Sequence, residues 1–191
     1  MSDKKPVIVW LRRDLRLSDN PALIAACDGG GPVVPVFIHD ESVASLGAAP
    51  KWRLGLSLAA LARDLESQGS RLILRRGDAQ EVLLSLVQET GAGAVHWSRL
   101  YDPQAIARDS AIKAALKERG LDATSHNGHL LFEPWTVETG TGGFYKVYTP
   151  MWRAVKDRDV PAPQAAPTRL PAPEGWPESE LLDDWHMGAA M

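Results

Sequence analysis

Apolar residues in this chain cluster in short runs separated by longer stretches of helical period. Val7–Leu11, Val33–Ile38, Arg71–Arg76, Ala94–Trp97 and Leu121–His126 are runs of strand length. Between them lie Asn20–Cys27, Lys51–Gln68, Gln80–Thr90 and Pro103–Arg119. Lys51–Gln68 carries Leu54, Leu58, Leu61 and Leu65 on one face, and Gln80–Thr90 carries Val82, Leu83, Leu86 and Val87. Ser18-Asp19-Asn20-Pro21 is a helix start, with cap candidates in Asp19 and Asn20 and proline at the first helical position. Gly69 and Gly120 close their helices, and Asp28-Gly-Gly-Gly-Pro32 breaks the first. Strands that are apolar on both faces and alternate with helices predict an α/β fold. The expectation is a Rossmann-like, doubly wound, five-stranded parallel sheet with helices on both faces.

The rhythm stops after His126. Residues 1–126 therefore read as the domain core, and 127–158 as an irregular segment plus a short helix, Met151–Arg158, that completes it. Gly140-Thr-Gly-Thr-Gly-Gly143 has no preceding strand and no following Gly-Lys-Ser/Thr, so it reads as a flexible hairpin tip rather than a phosphate loop. Six prolines between Pro161 and Pro177 make 159–191 a semi-rigid linker, expected to lead into a further element of a longer protein.

Composition narrows the function classes. The hydrophobic share of 45% fits a globular core, and the net charge of −3 gives no polyanion-binding signature. No apolar run of membrane-spanning length and no secretory leader is visible, so the expected site is cytoplasmic, with no membrane partner. The single cysteine, Cys27, fits a reducing compartment and reads as inert packing. His126 and His129 lie three apart, but no further ligand completes a set, so no metal site is expected.

The chemistry-bearing residues gather after the strands, where open α/β sheets bind ligands. Arg12, Arg13, Asp14 and Arg16 follow the first strand. Asp14 and Arg16 read as a structural network, and Arg12 as either part of it or a ligand contact. Lys51, Trp52 and Arg53 offer a basic-aromatic entry for a flat anionic ring, or a solvated helix start. Phe37, Leu54 and Leu58 line an apolar slot or simply pack. Tyr101, Asp102 and Gln104 follow the fourth strand.

Several strings together resemble the DNA photolyase/cryptochrome family. Trp10-Leu-Arg-Arg-Asp-Leu-Arg-Leu-Ser-Asp-Asn-Pro-Ala-Leu23 is similar to its first motif, and Val36-Phe-Ile-His-Asp40 to its second strand. Gly47-Ala-Ala-Pro-Lys-Trp-Arg53, Leu72–Gly77, Val95-His-Trp-Ser98 with Tyr101 and Ala107-Arg-Asp109, and Gly143–Trp152 follow in the family's order. The resemblance places Val7–Leu11 and Ala94–Trp97 centrally in the sheet. It implies an N-terminal domain that holds an antenna chromophore or partners a helical FAD domain. The parent would repair pyrimidine dimers in damaged DNA with light, or would act as a blue-light photoreceptor of the cryptochrome type. FAD would be bound by the helical domain and not by this fragment, which would contain no catalytic residue and be inactive alone. The antenna site it implies is Arg12, Phe37, Lys51, Leu54, Tyr101, Asp102 and Gln104. Some pterin-binding members carry an amide–carboxylate pair here; Gln104 keeps the amide, but Ala105 supplies no carboxylate. A deazaflavin or FMN is thus favoured over reduced folate. The rival from outside the family is an unrelated nucleotide-binding α/β module, against which the bulky Arg12-Arg-Asp14 turn argues.

Overall fold

The computed structural model describes residues 4–187. Strands β1 (Val7–Leu11), β2 (Val33–His39), β3 (Ile73–Arg76), β4 (Ala94–Ser98) and β5 (Asp122–His126) form one parallel sheet in the order β3-β2-β1-β4-β5. Helices α1 (Pro21–Asp28), α2 (Glu41–Ala44), α3 (Ala48–Ser67), α4 (Ala79–Thr90), α5 (Pro103–Glu118) and α6 (Tyr148–Val155) complete it. As expected, the sheet is doubly wound, with β1 and β4 inside it.

The period-two alternation within β1 explains the two layers. Ile8 and Trp10 face one core, with Val36, Ile73, Leu83 and Leu86 of α4, and Ile112 and Leu116 of α5. Val9 and Leu11 face the other, with Leu23 of α1 and Leu58, Leu61 and Leu65 of α3. The chain winds outward over β2 and β3 on one face. It then crosses back and winds over β4 and β5 on the other. The reversal falls between β1 and β4, so the loops leaving those neighbours diverge to opposite faces.

The turn after β1 is built from its own polar groups. Asp14 Oδ1 accepts from the Arg12 backbone N–H, and Asp14 is 1% exposed. Asp19 takes a left-handed φ of 50°, a conformation aspartate tolerates better than most residues. Asn20, fully buried, caps α1 by accepting from Leu23 N at 3.1 Å, while its amide donates to the carbonyls of Asp14 and Arg16. Arg16 donates to the carbonyls of Asp19 and Gly128. Gly128 must lack a side chain, because a Cβ there would lie 2.8 Å from Ser98 Cβ.

Several boundaries differ from the sequence reading. Helix α1 starts at Pro21 with Asn20 as its cap, as the Asn20-Pro21 step predicts, and ends at Asp28 rather than Cys27. Helix α3 starts at Ala48 rather than Lys51, because Pro50 fits the first turn of a helix. The turn α2 was not foreseen; Asp40 caps it through Val43 N. Helix α6 runs Tyr148–Val155 instead of Met151–Arg158. The glycine-rich segment is a tight turn closed by two reciprocal backbone bonds, Gly142 N to Thr139 O and Thr139 N to Gly143 O, without flanking strands.

The proline-rich segment lies along the domain. Its Pro171 carbonyl accepts from Val33 N, Ser179 Oγ accepts from Leu74 N, and Glu180 N donates to the Leu74 carbonyl. It thereby covers the outer edge of β3. Leu170 and Trp185 are buried in the α3-side core. Met187 packs so closely on α3 that a Cβ at Gly55 would lie 3.0 Å from its Cβ.

Asn20 serves one backbone donor and two backbone acceptors from a fully buried position. Asn20→Ala is therefore expected to cost about 2–3 kcal/mol, from loss of the cap plus unsatisfied carbonyls. Urea unfolding of the 1–191 chain measures this; a loss under about 0.5 kcal/mol would contradict the reading.

Candidate ligand-binding groove

Above the carboxyl ends of β1, β2 and β3, beside the turn after β4, the structure holds a groove of about 1390 Å³. Its floor includes Trp10 and Arg12 from the end of β1 and Phe37 from β2. Asp40 and α2 form one wall, Arg53 and Leu54 of α3 a second, and Arg76 with the Gly77-Asp78 turn a third. Asp102, Gln104, Ala105 and Arg108 close the side nearest β4.

A cluster of ion pairs underlies the floor. Arg12 donates to both carboxylate oxygens of Asp109, at 2.9 and 2.7 Å, and also to the Ser98 carbonyl at the end of β4. Its side chain is 8% exposed. Burial pulls the Arg12 pKa below its ordinary value, and Asp109 opposes that shift. Arg108 bonds Asp109 at 3.0 Å and Asp40 at 2.8 Å. Both guanidinium groups lie over the indole of Trp10, at 4.3 and 4.9 Å from its ring centre. The cluster thus ties the turn after β1 to β4, to α5 and to the end of β2.

The residues picked from the sequence divide. Arg12, Phe37, Leu54, Asp102 and Gln104 meet at the groove. Phe37 is 2% exposed and packs against Trp185, so it offers one edge of a core ring. Asp102 caps α5 through Oδ1, which accepts from Ala105 N at 2.9 Å. Its Oδ2 is buried without a hydrogen bond, and Arg13, at 3.6 Å, is its ionic neighbour among the described residues.

Lys51 and Tyr101 do not line the groove. The Lys51 ammonium donates to the Ala44 carbonyl at 2.7 Å, fastening α2 to α3. That contact exists because α3 begins before Lys51 and turns its side chain back along the helix. Tyr101 points into a separate pocket of about 270 Å³ beside Arg99, Lys113 and Trp135, and donates to Glu133 Oε2 at 2.9 Å. Burial, then Glu133, raises its pKa.

Asp40, Arg76, Arg108 and Asp109 escaped the sequence reading as site residues. Asp109, an acidic residue on the core-facing side of a helix, was the available signal. The network reading of Asp14 and Arg16 agrees with their bonds. Cys27 is half-buried, and burial, then Asp28, pushes its thiol up to about 11.

His96 and His126 pack with ring planes tilted by 46° and ring centres 5.0 Å apart, and His126 Nε2 is buried without a hydrogen bond. Burial, then His96, lowers His126 to about 4; burial also lowers His96. Among the described residues, no group of three or more His, Cys, Asp or Glu could hold a metal ion.

Comparison with known proteins gives these side chains a context. The DNA photolyase family model matches residues 7–173. The deoxyribodipyrimidine photo-lyase of Agrobacterium fabrum is 51% identical over 183 residues, covering 95% of this chain and 38% of that protein. Cryptochrome-2 of Arabidopsis thaliana is 38% identical over 164 residues, covering 84% of this chain and 27% of that protein. The crystal structure of a bacterial class III photolyase from Agrobacterium tumefaciens superposes with a TM-score of 0.94 at 49% identity, covering 98% of this chain and 39% of that one. This chain belongs to the DNA photolyase family. It spans well under half the length of these relatives.

Two outcomes are expected. Asp109→Asn leaves Arg12 buried without its counter-charge and should destabilise the domain by about 3 kcal/mol, read by urea unfolding. The histidine pair gives an acid limb. The unfolded chain takes up a proton at His126 near pH 6.5, while the folded chain resists until about 4. The neutral pair's contribution is therefore complete above about pH 6.5 and is lost as pH falls toward 4. The urea midpoint of the wild type should drop through that window, and His126→Gln should flatten the drop.

Proposed function

We propose that this chain is the N-terminal antenna-type domain of a deoxyribodipyrimidine photo-lyase, whose parent repairs pyrimidine dimers in damaged DNA with light. The observation that carries this is the 51% identity to the Agrobacterium enzyme across 95% of the chain. Residues 1–126 are then the core of the domain, 127–158 its completion, and 159–191 the path to an FAD-binding helical domain, the intramolecular partner. Such a protein acts where its DNA lies, and a cytoplasmic site is proposed. No helix among the described residues is long and apolar enough to cross a membrane.

The groove is the proposed antenna site, for a deazaflavin or FMN. Its donor set fits a flat anionic chromophore. Asp102 Oδ2 makes no hydrogen bond and would accept one from a flavin-type ring imide. Arg53 lines the groove with no ion pair among the described residues and would meet a negative group. Phe37 and Leu54 would keep water from the ring, and the Gln104 amide would meet its polar edge. Arg12 serves the site through the floor it fixes, since its guanidinium is already held by Asp109. Ala105, which lines the groove, supplies no carboxylate where some pterin-binding members of the family carry one. When bound, such a chromophore would absorb light and pass the excitation to the FAD of the helical domain.

The second reading, a cryptochrome-type photoreceptor, rests on the 38% identity to the Arabidopsis protein. Family membership removes the unrelated nucleotide-binding module. The full-length protein, illuminated with dimer-containing DNA under reducing conditions, should restore the pyrimidines; light-induced flavin reduction without repair would favour the photoreceptor. Titration with a deazaflavin and FMN should show binding that Arg53→Ala weakens about tenfold for FMN, the effect of one lost charge-assisted contact. Reduced folate should not compete for the groove.

A further inference from the structure

Arg76 differs from Arg12 and Arg108, the two arginines of the ion-pair cluster under the groove. Arg12 and Arg108 are closed into direct ion pairs at 2.7 and 2.8 Å. Arg76, at the end of β3, is half exposed, and its Nε lies 3.6 Å from Glu180 Oε2. That oxygen already accepts from the Trp185 indole N–H at 2.6 Å. The guanidinium sits 5.9 Å from the Trp185 ring centre. Glu180 is itself fixed, because its N–H donates to the Leu74 carbonyl and its neighbour Ser179 accepts from Leu74 N. Trp185 is 7% exposed and packs on Phe37 and His39, at ring distances of 6.0 and 5.1 Å. A carboxylate is thus held near a groove cation by contacts that do not depend on that cation.

We propose that Glu180 is a specificity-determining residue of the groove, setting its preference between anionic and neutral ligands by offsetting the charge of Arg76. The inference rests on the reading of the groove as a flavin-type site. It adds that residues of the proline-rich segment belong to that site. A ligand phosphate approaching Arg76 meets a cation whose field is partly cancelled by an anchored anion. The neutral part of the same ligand is indifferent to both. Glu180 therefore acts on the discrimination between ligands and leaves the affinity common to them unchanged.

FMN and riboflavin share a ring and differ by a phosphate, so their affinity ratio isolates this effect. Both are titrated into the full-length protein and its Glu180→Gln variant by flavin fluorescence at low salt. The amide keeps an acceptor for Trp185, so the fold and the ring-binding surface persist, and unchanged riboflavin affinity reports that directly. The ratio favouring FMN should rise about two- to fivefold in Glu180→Gln, the range for one partly exposed charge. It should shrink in 0.5 M salt, and adding Arg76→Gln should cancel the gain. If both flavins bind and Arg53→Ala weakens FMN, yet Glu180→Gln leaves the ratio unchanged or lowers it, the assignment of Glu180 fails while the groove stands. If neither flavin binds, the groove reading fails and takes this assignment with it.

Discussion

The buried carboxylate of Asp109, gripped by Arg12 and Arg108, is the constraint on which the rest of this domain depends. A parallel sheet that reverses its winding leaves two adjacent strand ends whose loops depart to opposite faces. Something must hold those ends in register without filling the space between them. Here Arg12 from the β1 turn reaches Asp109 on α5 and the carbonyl that ends β4, and Arg108 carries the connection to Asp40 beyond β2. Desolvating these charges is costly, so the cluster is useful only when each member is paired. It is complete in that sense, and both cations also rest on the Trp10 indole. The groove floor is therefore rigid and its charges are internally balanced, leaving recognition to groups nearer the rim.

Much of this was readable beforehand because it follows from periodicity. The apolar runs Val7–Leu11, Val33–Ile38 and Ala94–Trp97 specify buried parallel strands and became β1, β2 and β4, while the more polar Leu121–His126 became the edge strand β5. Asn20 and Asp102 sit before prolines at helix starts, where local capping chemistry acts without tertiary context. The turn α2 was missed because four residues carry no detectable period; only its cap at Asp40 marks it. Lys51 and Tyr101 were assigned to the groove from chain proximity to strand ends. Side-chain direction decides such cases, and a three-residue shift in the start of α3 sent Lys51 to the Ala44 carbonyl. The Arg12–Asp109 pair spans ninety-seven positions, a separation at which neither spacing nor propensity carries information.

In residues 159–187 a proline-rich segment also lies against the domain. Prolines exclude helix and sparsely donate hydrogen bonds, which makes a segment look like a tether. The same features suit a strap laid against an edge strand, where only occasional bonds are needed and continued pairing is unwelcome. Leu170, Trp176 and Trp185 supply the apolar anchors, and the Ser179–Glu180 step supplies the two bonds to Leu74. Apolar anchors spaced through a proline-rich stretch are the sequence signal that distinguishes a strap from a free linker.

The strap and the ion cluster together divide the groove's labour. The cluster, built from residues of the sheet and α5, fixes shape and leaves almost no uncompensated charge at the floor. The strap reaches the rim at β3 and adjusts the charge of a cation that the sheet itself leaves nearly free. Shape then comes from the invariant geometry of a doubly wound sheet, and charge preference from a segment outside it. A domain organised this way can change what its groove prefers by substitutions in the strap, without disturbing the buried pairs that tie the ends of β1 and β4 together.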